Sequence, residues 1–211
     1  RLGAAGREIL VLLDGARLNN DYNGGAFANL PYITLANVER VEFIRGPGSA
    51  IHGANAALAV INIITQKKGR EMTLAVSSPE GYRTSVQTDI EMNEGEMSVF
   101  AESVGFRGFS PTLYDVIDKQ YETSRDPYSV QTLSYHFSSH GFSGNFNFNQ
   151  FNSPDFYVIG AANTEENKYY GEGYRIELKH RAAFSHHLQQ EVMMYYHQSS
   201  TYAQSIAIPS E

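Results

Sequence analysis

The sequence predicts a mainly β protein built in two regimes, and three observations predict it. The chain holds 14 Tyr, 12 Phe and 18 Gly but no Trp and no Cys, and only 18% of its residues are charged. That balance suits strands and turns better than helical bundles. Residues 1–68 alternate short apolar runs with Gly/Pro/Asn loops, whereas residues 69–211 carry longer runs, several with a period of two. In this second regime tight and long connections also alternate, as they do in an antiparallel up-and-down sheet.

In the first regime Glu8 to Asp14 (EILVLLD) reads as a buried strand closed by the turn pair Asp14-Gly15. Val38 to Arg45 (VERVEFIR) reads as a second strand, or as a helical turn running into one, and Val60 to Gln66 (VINIITQ) as a third. The loops Asn19 to Gly25 and Gly46 to Asn55 lie between them. The whole is expected to form a compact βαβ-like unit.

The second regime offers seven strands: Met72 to Ser77, Thr84 to Met92, Glu96 to Phe106, Ser129 to Phe137, Phe142 to Phe151, Gly173 to Phe184 and Leu188 to Ser200. Alternation is clean where Val86, Thr88, Ile90 and Met92 face one way and Ser85, Gln87, Asp89 and Glu91 the other. It is equally clean where Tyr174, Ile176 and Leu178 oppose Arg175, Glu177 and Lys179. The connections Asn93 to Gly95, Ser138 to Gly141 and Ser185 to His187 are tight, while Arg107 to Tyr128 and Asn152 to Glu172 are long. Short turns at one end of a sheet and long loops at the other describe an outer-membrane barrel. Alternation alone fits a soluble β-sandwich equally well. Strand lengths of roughly nine to thirteen residues, near the 9–11 that cross a bilayer, favour the membrane.

Several function classes are excluded. No apolar run approaches the roughly 20 residues a membrane-spanning helix needs. A net charge of −7 with no basic block beyond Lys67-Lys68 argues against nucleic acid. The glycine-rich stretch from Gly46 to Gly53 lacks both the P-loop ending and the Gly-x-Gly-x-x-Gly spacing. Ser49 and His52 lie close in sequence but without a nucleophile elbow, so no enzyme is predicted. The histidines show no His-Glu-x-x-His spacing, and His140 and His186-His187 read as solvated turn residues. No cofactor and no metal are expected.

Five pieces between Val11 and Lys68 resemble the plug of TonB-dependent outer-membrane receptors. They are Leu12-Leu13-Asp14-Gly15-Ala16-Arg17-Leu18, Leu30-Pro31, Val38 to Ala50 (VERVEFIRGPGSA), Gly53-Ala54-Asn55-Ala56 and Val60-Ile61-Asn62-Ile63-Ile64-Thr65. They stand in family order and near-family spacing. Two positions depart: His52 where an aromatic is common, and Ala59 where Gly is usual.

The resemblance implies that residues 1–68 are the C-terminal half of an α/β plug and residues 69–211 the first strands, about seven, of a transmembrane β-barrel. It implies import of a scarce nutrient, commonly a ferric siderophore, haem or a cobalamin, across the outer membrane of a Gram-negative bacterium. The alternative is an outer-membrane surface binding or adhesion module without transport. TonB, gripping an N-terminal box expected upstream of Arg1, the extracellular ligand and outer-membrane lipid are the implied partners. Arg45, and with it Arg40, are expected to pair with acidic side chains of the inner barrel wall. The long loops are expected to offer Phe156, Tyr157, Tyr169 and Tyr170 to the ligand, with lesser contributions from the loops at 19–25 and 46–55.

Overall fold

The computed structural model of the chain describes residues 7–20, 24–26, 33–46, 48, 53, 55–78, 80–116, 118–154, 167–185 and 188–204. It divides into two compact units, Arg1–Gly69 and Arg70–Glu211. Among the described residues every regular element is a strand.

The first unit is a four-stranded sheet of β1 (Ile9–Leu13), β2 (Ala16–Arg17), β3 (Val38–Arg45) and β4 (Ala59–Thr65), ordered β2-β1-β4-β3. β1 runs parallel to β4, with Ile9 opposite Ala59 and Leu13 opposite Ile63. An uninterrupted apolar run suits a strand covered on both faces. Accordingly Leu10 and Leu12 pack with Ala56 and Val60 on one side, and Val11 and Leu13 with Leu18, Ala26 and Ile63 on the other. Asp14 and Gly15 both take positive φ (52° and 86°), which gives the tight hairpin turn into β2 that an Asp-Gly pair favours. The Asp14 carboxylate then accepts from the Thr65 backbone N–H at 2.9 Å and from its hydroxyl at 2.7 Å, fixing the turn to the end of β4. Val38–Arg45 is a strand throughout, antiparallel to β4, with a bulge between Val38 and Arg40. The helix of the expected βαβ-like unit is absent from the described residues; β1 and β4 are parallel neighbours, and of the two strands between them in sequence β2 lies outside β1 and β3 outside β4.

The second unit is a seven-stranded meander, with a two-stranded hairpin inserted between its third and fourth strands. Its strands are β5 (Glu71–Ser77), β6 (Gly81–Met92), β7 (Gly95–Phe106), β10 (Tyr128–Ser139), β11 (Phe142–Pro154), β12 (Lys168–Ser185) and β13 (Leu188–Gln204). All neighbours pair antiparallel. β6 and β7, β10 and β11, and β12 and β13 are each joined by two residues at one end of the sheet. The longer connections lie at the other end, and the first of them carries the hairpin of β8 (Thr112–Asp115) and β9 (Gln120–Thr123). Glycines pair with aromatics across strands: Gly105 stands opposite Tyr82 and Gly144 opposite Phe137, with each ring filling the space a Cβ would need.

Candidate functional site

The two faces of the seven-stranded sheet differ in an unusual way. Ladder rows read directly across it, and one such row is Val86, Ala101, Leu133, Phe148 and Tyr174. The next on the same face is Thr88, Val99, Tyr135, Phe146, Ile176 and Tyr196, and the one after that runs from Ile90 through Met97 and Phe137 to Leu178 and Met194. From Val86 to Met92 the band runs about 20 Å along the strand at the usual rise per residue. This face is the exposed one: Ile176 is 41% and Leu178 45% accessible. Their neighbours Arg175 and Glu177, at 6% and 2%, are buried on the opposite face.

The sheltered face is held by polar contacts. Glu177 accepts from the Asn145 amide at 2.8 Å and pairs with Lys179 at 2.9 Å. Asn145 Oδ1 in turn lies 2.7 Å from His136 Nδ1, and Ser134 donates to Asn147 at 2.9 Å. Arg83 Nε sits 3.0 Å from Glu102 Oε1 without the alignment of a hydrogen bond. Such a face tolerates water and charge, and it is built for a polar interior rather than a dry core.

At the long-loop end the predicted aromatics separate. Phe156 and Tyr157 lie outside the described residues. Tyr169 and Tyr170 belong to β12, which begins at Lys168, so they are strand residues pointing to opposite faces. Tyr169 meets Phe151 edge to face at 5.4 Å, and Tyr170 stacks on Tyr202 at 4.8 Å. The structure therefore sets these two rings on opposite faces of the sheet, each with its own aromatic partner.

The β8–β9 hairpin was not among the predicted strands. Tyr114 and Tyr121 face each other across it at 5.4 Å, both exposed, and Lys119 takes the positive φ (55°) of its turn. The signal was present as Thr-Leu-Tyr-Asp and Gln-Tyr-Glu-Thr flanking Asp118-Lys119. Below it, Phe106 packs on Phe109 and Tyr128, beside a groove of about 480 Å³ also lined by Tyr82, Arg107 and Asn152.

In the first unit Arg40 is held on its own strand, 2.7 Å from Glu39 and 3.0 Å from Glu42. Glu42 also accepts from the Asn62 amide at 3.1 Å. That hydrogen bond, followed by the one from Arg40, holds the Glu42 carboxyl below the usual carboxylate range. Arg45 ends β3 next to Gly46 (φ 108°), exposed and without an ion pair among the described residues. The predicted loops at 19–25 and 46–55 do meet: Asn55 Nδ2 donates to Gly24 O at 3.0 Å and to Arg7 O at 2.8 Å. His140 pairs with Glu94 in its turn, and His186 and His187 lie outside the described residues.

Residues 2–60 match the family model of the TonB-dependent receptor plug domain. This chain carries a TonB-dependent receptor plug. Solved receptor structures extend the likeness in fold past the plug into the strands that follow it. The siderophore receptor PirA of Acinetobacter baumannii superposes with a TM-score of 0.57 at 15% identity, covering 92% of this chain and 32% of its own. A mutant of the ferric enterobactin receptor PfeA of Pseudomonas aeruginosa, in complex with enterobactin, gives 0.60 at 17% identity, with 92% and 34% covered. The chain thus spans about a third of the length of those receptors, and at these identities the likeness is one of fold.

Proposed function

We propose that this TonB-dependent receptor chain serves the uptake of a ferric siderophore across the outer membrane of a Gram-negative bacterium. Residues 1–68 would supply the C-terminal half of the plug, and residues 69–211 the first strands of the barrel around it. The observation that carries the reading is the inverted sheet following a plug: apolar side chains outward, ion pairs sheltered. The siderophore receptors of the same fold favour an iron chelate over haem or a cobalamin. The role is that of a receptor and transporter, with TonB as its energy-coupling partner and no chemistry on the ligand.

Within that reading Arg45 is the better candidate to reach an acidic group on the barrel wall. Arg40 would first have to leave Glu39 and Glu42. Tyr169 is the better placed of the two described ligand candidates, because it shares the polar face with Arg175 and Glu177 whereas Tyr170 shares the apolar one. Phe156 and Tyr157 complete the proposed set. The test is growth and iron-chelate uptake by iron-starved cells that express the intact receptor or lack it. Uptake of a ferric catecholate that disappears with the receptor supports the proposal; equal uptake of every iron chelate with and without it rejects the reading.

A further inference from the structure

The polar contacts between the two plug loops converge on one side chain. Asn55 occupies the left-handed region (φ 71°), where Asn and Gly are tolerated and most residues are strained. From there its amide spends both hydrogens on backbone carbonyls, Arg7 O at 2.8 Å and Gly24 O at 3.0 Å. Gly24 has φ 72°, and a methyl group there would come within 2.8 Å of Asn55 Nδ2, so the amide can hold this carbonyl only because position 24 is glycine. The same Gly24 carbonyl accepts a second amide, from Asn19 at 2.9 Å. Asn19 is buried and tied to β1, donating to Ile9 O and accepting from Val11 N.

Each loop is also closed at its own base. Asn20 N–H donates to Gly25 O and Gly24 N–H to Asn20 O in the first loop; Gly46 N–H donates to Leu58 O and Gly48 N–H to Ala56 O in the second. Two self-closed loops are thereby joined through Asn55, and through Asn19 to the central strand.

We propose that Asn55 is a positioning residue whose amide latch fixes the spacing of the two plug loops and ties both to the lead-in of β1 at Arg7, so that the loops meet the ligand as one surface. The ligand part of this statement rests on the proposed function; the latch itself does not. The test uses the intact receptor with spin labels at Asn20→Cys and Ala57→Cys, in Asn55 wild-type, Asn55→Gly and Asn55→Asp backgrounds. Glycine keeps the backbone conformation and aspartate keeps the shape, yet neither can donate. Both variants should broaden the inter-label distance distribution while the receptor still folds, with a melting temperature lowered by no more than the loss of two hydrogen bonds allows. With a ferric tris-catecholate as the probe, both should raise the uptake KM about two- to tenfold, the cost of reordering the freed loops on binding, with Vmax unchanged. A distance distribution as narrow in both variants as in wild type overturns the latch whatever the uptake shows. Broadened distances with an unchanged KM overturn its role in presenting the loops to ligand. A wild-type receptor that ignores every ferric chelate defeats the proposed function, while the distance measurement still decides the latch.

Discussion

In the four-stranded sheet Leu10 and Val60 are fully buried; in the seven-stranded sheet Leu74 and Val76, similar in character, stand in the open while Glu102 and Glu177 are buried. Both sheets obey the same period-two geometry, so strand chemistry does not explain the difference. Solvent does. Burying a Leu or Val side chain is worth about 1.5–3 kcal/mol in water, and a sheet that forgoes this along β5, β6, β12 and β13 is not organised for water on that face. Under the proposed function, hydrocarbon beside that face would remove the penalty and leave the opposite face to carry the charges.

Each sheet offers a substitution that tests this difference. The largest effect is expected in the first sheet, where Leu10→Ala opens a cavity between Val60 and Ala56 and should destabilise the plug by about 2–5 kcal/mol. Hydrogen exchange of the β1 and β4 amides in the intact receptor reads this directly; a change below about 0.5 kcal/mol would mean that the plug lacks an ordinary water-excluding core. In the second sheet a charge on the apolar face, Ile176→Lys, should cost about 2–4 kcal/mol of folding stability in a bilayer. On the polar face Asn149→Lys, opposite Thr132 and Gly173, should cost clearly less, as measured by denaturant titration in lipid vesicles. Equal costs at the two positions would erase the distinction between the faces.

The smallest effect is expected at Glu42 of the plug. Because its hydrogen bonds lower the folded-state pKa of Glu42, the carboxylate stabilises the plug above the carboxyl's unfolded pKa, and that contribution is lost as pH falls through the folded value. Plug exchange rates should therefore rise on acidification below the ordinary carboxylate range, by a small factor because the group is exposed. Glu42→Gln, which keeps an acceptor for Asn62 but loses the charge, should flatten that part of the profile. A variant profile that superimposes on the wild type would assign the acid response to other groups.

Much of this architecture was legible in the chain. The strands expected over Thr84 to Met92, Phe142 to Phe151 and Gly173 to Phe184 are present but longer, as Gly81–Met92, Phe142–Pro154 and Lys168–Ser185. The added ends, such as Lys168-Tyr169-Tyr170-Gly171-Glu172, lack alternation of their own; they are strand because Gln204 through Ser200 of β13 and Pro154 through Gln150 of β11 pair with them. The same pairing took Tyr169 and Tyr170 out of a loop and set them on opposite faces. Arg40 pairs within its own strand, with Glu39 and Glu42, beside a bulge between Val38 and Arg40 that the strand pattern alone does not show.

By itself the sequence determined the two regimes, the border at Lys67-Lys68-Gly69, the plug motif and the split of each long strand into an apolar and a polar set. Side-chain period and turn residues are local properties and can be read locally. Tertiary structure alone decided that β1 lies parallel beside β4, that Asn55 reaches Gly24 and Arg7, and that the apolar set of the long strands is the exposed one. Each of these depends on partners far along the chain, and a period of two says which residues share a face but not which face meets solvent.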